Sequence, residues 1–235
     1  ACFGEMTGGA FVNVSGGSSP YNYEWSTGEL IEGISGLFAD KYYVTIEDNN
    51  GCVTIDSTTV NQPTEGLSAI PMAVDLNCFG DANGTIDLDV MGGSAPYQYQ
   101  LNGQAISNNP IFQGLSGGIY DIVVIDQNGC TLSVSDVEVF EPAEILVNLG
   151  DNKIIELGID TVQMLPQLSG GQGGLIYEYT GNNLDNLTCT NCPDPFIQGQ
   201  VFTKEYTLTV TDAAGCTNFD NIIVMVYFIV THLYI

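Results

Sequence analysis

The chain of 235 residues has no arginine, only three lysines (Lys41, Lys153, Lys204) and one histidine, against 28 acidic residues, for a formal charge of −25. This shortage of cations excludes polyanions as partners. Nucleic acid and anionic membrane surfaces are held at a basic face through counterion release, and here they meet repulsion. Without arginine there are no bidentate clamps, and no glycine-rich loop ends in Lys-Ser/Thr, so nucleotide chemistry lacks its usual tools and no cofactor is expected. The lone His232 sits in an apolar tail, a poor place for the preorganised base of a Ser-His-Asp triad. A membrane helix is also missing, because the unbroken apolar run Ile222 to Val230 falls short of the roughly 18 to 20 residues needed and reads as strand. No basic region followed by an apolar stretch opens the sequence, so no signal peptide is visible.

What is present is a core-forming composition. Apolar residues make up 44% and charged residues 13%, which is not the make-up of a disordered acidic tail. The 28 glycines, 12 tyrosines and frequent Val, Ile and Thr fit short strands joined by tight turns, since β-branched and aromatic side chains suit a pleated surface.

The chain repeats itself. Cys2-Phe3-Gly4 recurs as Cys78-Phe79-Gly80, Gly16-Gly17 as Gly92-Gly93, and Pro20-Tyr21 with Tyr23 as Pro96-Tyr97 with Tyr99, all at an offset of 76. Gly36-Leu37, Asn50-Gly51-Cys52 and Gln62-Pro63 recur as Gly114-Leu115, Asn128-Gly129-Cys130 and Glu141-Pro142, at offsets of 78, 78 and 79. A more distant third copy carries Ser169-Gly170-Gly171, Tyr177, Tyr179 and the run Tyr206 to Asp212 leading into Gly215-Cys216. Boundaries fall near Glu65 and Glu144, just past Pro63 and Pro142, giving modules 1–65, 66–144 and 145–235. Alternating segments such as Tyr42 to Ile46 and Tyr120 to Ile125, closed by Asp48-Asn49-Asn50-Gly51 and Asp126-Gln127-Asn128-Gly129, are strand and hairpin signals. The expected fold is all-β: tandem immunoglobulin-like antiparallel β-sandwich modules. The stretch Leu67 to Asn77 can give the second module a first strand that the first module, starting at Cys2, lacks.

The seven cysteines fall as Cys2/Cys52, Cys78/Cys130 and the trio Cys189, Cys192, Cys216. Matching spacings of 50 and 52 predict one disulfide inside each of the first two modules, in an oxidising compartment. Within the trio, Cys216 can take either partner, or Cys189 and Cys192 can join each other. Zinc is disfavoured, since the single Cys-x-x-Cys has no second close pair and His232 is the only histidine. Asp48, Asp81 and Asp126 open Asp-x-Asn-Gly loops that put oxygen ligands close together, as calcium loops do. Hairpin chemistry explains the same residues without a metal, and the distal bidentate Glu is absent. The acidic pairs Glu29/Glu32 and Asp87/Asp89 read as solvated surface rather than a glycosidase pair. Tyr21/Tyr23 and Tyr97/Tyr99 each share a strand face, and packing is favoured over a sugar-binding platform.

The order Cys-x-Gly, Gly-Gly-x-x-Pro-Tyr-x-Tyr, Gly-Leu, a Tyr-rich strand, Asp-x-x-Gly-Cys and a closing Gln/Glu-Pro resembles the SprB-type repeat of gliding-motility and cell-surface adhesins in Bacteroidetes, over residues 2–63 and 78–142. The third segment, with Leu187 to Pro193 and Tyr206 to Cys216, is similar to the PKD-like domains of type IX-secreted proteins. The resemblance implies an extracellular or cell-surface location, an adhesive or structural role and no catalytic residues. It also marks Ser57 and Thr161, in Asp56-Ser57-Thr58 and Asp160-Thr161-Val162, for O-glycosylation.

One feature of the tail stands apart. By analogy with Val134 to Phe140, the last strand needs only Asn221 to Val226, which leaves Tyr227, Phe228, Ile229, Val230, Leu233, Tyr234 and Ile235 as a surplus apolar strand. An exposed strand of this kind seeks a sheet, so self-association into a filament by head-to-tail strand donation is expected, or contact with neighbouring modules of the same adhesin. Surface polysaccharide is the alternative partner, for a carbohydrate-binding or stalk region of a larger secreted adhesin or enzyme.

Overall fold

The computed structural model describes residues 1–157 and 161–227. The first copy contributes β1 (Gly8–Phe11), β2 (Asn22–Trp25), β3 (Gly33–Leu37), β4 (Lys41–Glu47) and β5 (Val53–Thr59). They pair as β1-β3 and β2-β4-β5, antiparallel throughout. In β4 the side chains of Tyr42, Val44 and Ile46 are buried, while Lys41, Tyr43 and Glu47 are exposed. That alternation is the two-residue period of a strand with one face on a core.

The second copy contributes β6 (Ser68–Val74), β7 (Gly84–Met91), β8 (Gln98–Leu101), β9 (Ile111–Leu115), β10 (Gly118–Ile125) and β11 (Thr131–Val139). Its sheets run β6-β7-β9 and β11-β10-β8. β7 and β9 therefore correspond to β1 and β3, and β6 has no counterpart in the first copy among the described residues. The strand read from Leu67 to Asn77 is present as β6.

The remaining strands are β12 (Leu146–Asn148), β13 (Lys153–Glu156), β14 (Thr161–Gln163), β15 (Gln167–Ser169), β16 (Ile176–Gly181), β17 (Phe196–Gln198), β18 (Lys204–Thr211) and β19 (Thr217–Tyr227), with one 3-10 turn at Leu184–Asn186. They form a four-stranded sheet, β13-β19-β18-β16, and two strand pairs, β12-β15 and β14-β17. β13 lies parallel to β19; the other pairings here are antiparallel. The architecture is all-β, built of small sheets that are antiparallel apart from the β13–β19 pair. No helix among the described residues is long and apolar enough to cross a membrane.

The chain divides into two compact units. One holds Ala1–Ala73, Ile86–Phe112 and Ile119–Glu138; the other holds Val74–Thr85, Gln113–Gly118 and the described residues from Val139 on. In the first unit Trp25, Ile34, Leu37, Tyr42, Val44, Ile46 and Val60 form one core cluster. In the second, Tyr179, Ile197, Leu208, Val210, Ile222 and Val224 are among eleven buried residues in a single cluster. That second core also contains a polar group. Gln200, fully buried, accepts a hydrogen bond from the Tyr206 hydroxyl at 2.8 Å and donates to the carbonyls of Phe202 and Val224 at 2.7 and 3.0 Å.

Tyr227 corrects one expectation. It is the last residue of β19, pairs with Glu156 of β13 and accepts from the Leu157 N–H at 3.2 Å. β19 runs past Val226 because the parallel strand β13 offers its edge a partner. The rest of the expected assembly strand, Phe228, Ile229, Val230, Leu233, Tyr234 and Ile235, lies outside the described residues, as does His232.

Candidate functional site

Three aspartates fold the same turn. Asp48 accepts from the backbone N–H groups of Ser18, Asn50 and Cys52 at 3.0, 2.9 and 2.9 Å. Asp126 accepts from those of Ser94, Asn128 and Cys130 at 2.9, 2.9 and 2.8 Å. Asp212 accepts from those of Gln172, Ala214 and Cys216 at 2.8, 2.9 and 2.9 Å. Each carboxylate thus pins the bend that follows a Gly-Gly pair to the cysteine that closes the hairpin. An anion that collects several N–H donors is favoured in its charged form. The N–H of Cys52 leads in holding the Asp48 carboxyl below the usual range, and the N–H of Gln172 does so for Asp212.

The Asp48 and Asp126 carboxylates that accept these bonds are among the calcium candidates named from the sequence. Asp81 instead accepts from the N–H of Cys78 and the side-chain amide of Asn83, at 3.2 and 3.1 Å. Among the described residues no group of three or more His, Cys, Asp or Glu side chains is placed to hold a metal.

The disulfides overturn the expected pairing. Cys2 does not reach Cys52, nor Cys78 Cys130. Cys2 bonds to Cys130 and Cys78 to Cys216, with Cα separations of 5.7 and 5.5 Å. The first cysteine of each of the first two copies is joined to the cysteine of the Asp-x-x-Gly-Cys turn in the next. Cys189 and Cys192 join each other, which leaves Cys52 as the free thiol, exposed. The reason lies in the end of each copy. The Cys-x-Gly loop folds back on the closing linker, where the Gly4 N–H donates to Gln62 Oε1 at 2.8 Å and the Gly80 N–H to Glu141 Oε1 at 2.8 Å. Loop and linker together then meet the next copy.

That meeting point is a Gly-Gly bend. The Gly93 N–H donates to the Glu65 carbonyl at 3.1 Å, and the Gly171 N–H to the Ala143 carbonyl at 3.2 Å. A side chain at Gly92 would overlap the carbonyl of Gly66, and one at Gly170 that of Glu144. Glycine is needed at both positions because another stretch of backbone occupies the space where Cβ would stand. In the sequence these glycines and the Gln62 and Glu141 anchors show only as recurring letters, at offsets of 76 and 78 for the glycines and 79 for the anchors.

Of the paired tyrosines, Tyr21, Tyr23 and Tyr97 are half-buried. The hydroxyls of Tyr21 and Tyr97 donate to the carbonyls of Gly16 and Gly92 at 2.7 and 2.6 Å. Tyr99 and Tyr179 are buried, and burial pushes the hydroxyl pKa of Tyr99 up. Asp87 and Asp89 lie on β7, partly buried and exposed respectively. Ser57 in β5 and Thr161 in β14 are both exposed.

A family comparison finds the opening parts of the first two copies. The SprB repeat family matches residues 1–30 and 72–105. No curated protein matches the chain. Among solved structures, the PKD domain of the KIAA 1837 protein is 22% identical over 35% of this chain and 85% of its own, with a TM-score of 0.28. Mouse cadherin-23 EC22-24 is 13% identical over 93% of this chain and 90% of its own, with a TM-score of 0.39. Extracellular domains 3-5 of Drosophila OTK are 13% identical over 89% of this chain and 86% of their own, with a TM-score of 0.37.

Proposed function

We propose that the chain is a non-enzymatic structural segment of an extracellular adhesive protein, read as modules 1–65, 66–144 and 145–235. The observation that carries this reading is the pair of disulfides between successive copies, Cys2–Cys130 and Cys78–Cys216. A bond inside a module protects that module; a bond between modules keeps an array together when one of them opens. Such bonds persist outside the cell, and the SprB-like stretches support a cell-surface array of the kind exported by Bacteroidetes through the type IX route. Ser57 and Thr161 are exposed enough to carry the O-glycans that this resemblance implies.

Filament growth by strand donation from residues 227–235 is a separate proposal that rests on the apolar sequence of the tail. Of these residues, Tyr227 is already paired in its own unit.

Two assays test the structural reading. Cells displaying the full protein should hold to a surface under flow, and the Cys78→Ser/Cys216→Ser variant, displayed at equal density, should detach at lower shear. The pure chain should neither hydrolyse polysaccharides nor bind them saturably. Hydrolysis would overturn the reading, and saturable binding lost in Tyr21→Ala or Tyr97→Ala would favour a carbohydrate-binding region instead.

A further inference from the structure

Cys52 stands where Cys130 and Cys216 stand. All three follow an Asp-x-x-Gly turn, and in each the preceding aspartate accepts the cysteine's own N–H, at 2.9, 2.8 and 2.9 Å. Two of the three are bonded to the first cysteine of a preceding copy; Cys52 is not. The Gly-Gly bend beside it tells the same story independently. Gly16 and Gly17 keep the positive φ of their counterparts, 85° and 69°. Yet nothing lies within 4 Å of a Cβ at Gly16, and no linker atom is among the nearest neighbours of Gly17, where Leu67 covers Gly93 and Ile145 covers Gly171. A cleft lined by Val14, Gly16, Gly17, Ile46, Cys52 and Val53 opens there. The third sign is the sheet. β6, which follows the Glu65-Gly66-Leu67 linker directly, pairs with β7, whereas β1 has only β3 beside it among the described residues.

We infer that Cys52, Gly16-Gly17 and the open side of β1 form one docking site, whose occupant is a further repeat of the same kind joined ahead of this one. That repeat would supply the thiol of its Cys-x-Gly loop to Cys52 and a carbonyl of its Gln/Glu-Pro linker to the Gly17 N–H, and the strand that follows the linker, the counterpart of β6, would pair with β1. A second copy of this chain does not fit. Its Cys2 and Cys78 are already bonded to Cys130 and Cys216, and its Cys189 and Cys192 to each other. The bond itself forms as two thiols give up two electrons and two protons to a protein disulfide of the export compartment, which leaves as its dithiol. The inference stands whether or not the array serves adhesion.

The test uses the mature protein taken from the surface of the cells that make it, with free thiols alkylated before extraction, digested without reduction and mapped by mass spectrometry. A glutamate-specific protease suits a chain with three lysines and no arginine. The expected result is a peptide containing Cys52 linked to a Cys-x-Gly peptide from outside residues 1–235. An alkylated Cys52, or one bridged to a second Cys52, to a small thiol or to a cysteine in another context, overturns the inference. Gly16→Asn then separates docking from chance oxidation, because asparagine tolerates a positive φ better than other side chains while its Cβ would meet the linker backbone. Loss of the Cys52 bond with Cys2–Cys130 retained supports the site, and an undiminished Cys52 bond removes the bend from it. Where the variant does not keep Cys2–Cys130, the map of the unaltered protein decides.

Discussion

At the scale of single residues, the aspartates of the Asp-x-x-Gly-Cys turns carry a pH dependence whose sign is fixed. Asp48 and Asp212 titrate below the ordinary carboxylate value of 3.8 because backbone N–H groups hold the charged form. Their stabilisation is complete above that value and is lost as pH falls through the lower folded one. The Asp48→Asn/Asp212→Asn variant should therefore melt at a lower temperature than wild type near neutrality, with the gap closing below about pH 4, where the unfolded chain takes up its protons. Melts recorded from neutral to strongly acidic pH check this, and a gap that widens on acidification would contradict it. Tyr206→Phe removes a donor from the buried Gln200 carbonyl. A buried acceptor left unmatched costs about 1–3 kcal/mol, a loss that denaturant unfolding of the second unit should register.

At the scale of elements, the hairpins follow from local chemistry. β4 and β5 pair in register from Lys41 opposite Thr59 to Glu47 opposite Val53, and the turn between them is set by Asp48 and Gly51. The linker elements obey a non-local rule, and this gives a paired prediction. Gly92→Ala and Gly16→Ala both force alanine into a positive φ, a cost of about 1–2 kcal/mol common to the two. Only Gly92→Ala also drives a methyl into the Gly66 carbonyl. It should be the more destabilising change by roughly 1 kcal/mol or more, measured by denaturant unfolding of the two variants side by side. Equal effects would mean that the linker does not sit on the bend.

At the scale of the whole molecule, the two disulfides overlap in sequence, and this limits how far the chain can be pulled out. From Cys2 the covalent route crosses to Cys130, runs back 52 positions to Cys78 and crosses to Cys216, although 214 positions separate Cys2 from Cys216 along the chain. At about 3.3–3.6 Å per extended residue, the greatest separation of those two ends is roughly 180 Å oxidised and roughly 740 Å reduced. Single-molecule stretching with and without reductant should show this near fourfold difference. The pairing Cys2–Cys52 and Cys78–Cys130 would instead leave the stretch from Cys52 to Cys78 and all residues beyond Cys130 free to extend.

The all-β class, the copies and their hairpin turns were determined by the sequence alone. They arise from alternation, turn residues and recurrence, all of which act over a few neighbouring positions. Even β6 is visible in Leu67 to Asn77, and Asp48 and Asp126 read as turn residues from their place before Asn and Gly. What only the tertiary structure decided was which distant groups meet. In a repeating chain, Cys2 to Cys52 and Cys2 to Cys130 differ by one period, so spacing cannot choose between them. The choice falls to a folded linker that brings the Cys2 and Cys130 Cα atoms to 5.7 Å. The parallel pairing of β13 with β19, which takes up Tyr227, was hidden for the same reason: its partners lie 71 positions apart, and strand pairing over that distance follows from packing and not from any local pattern.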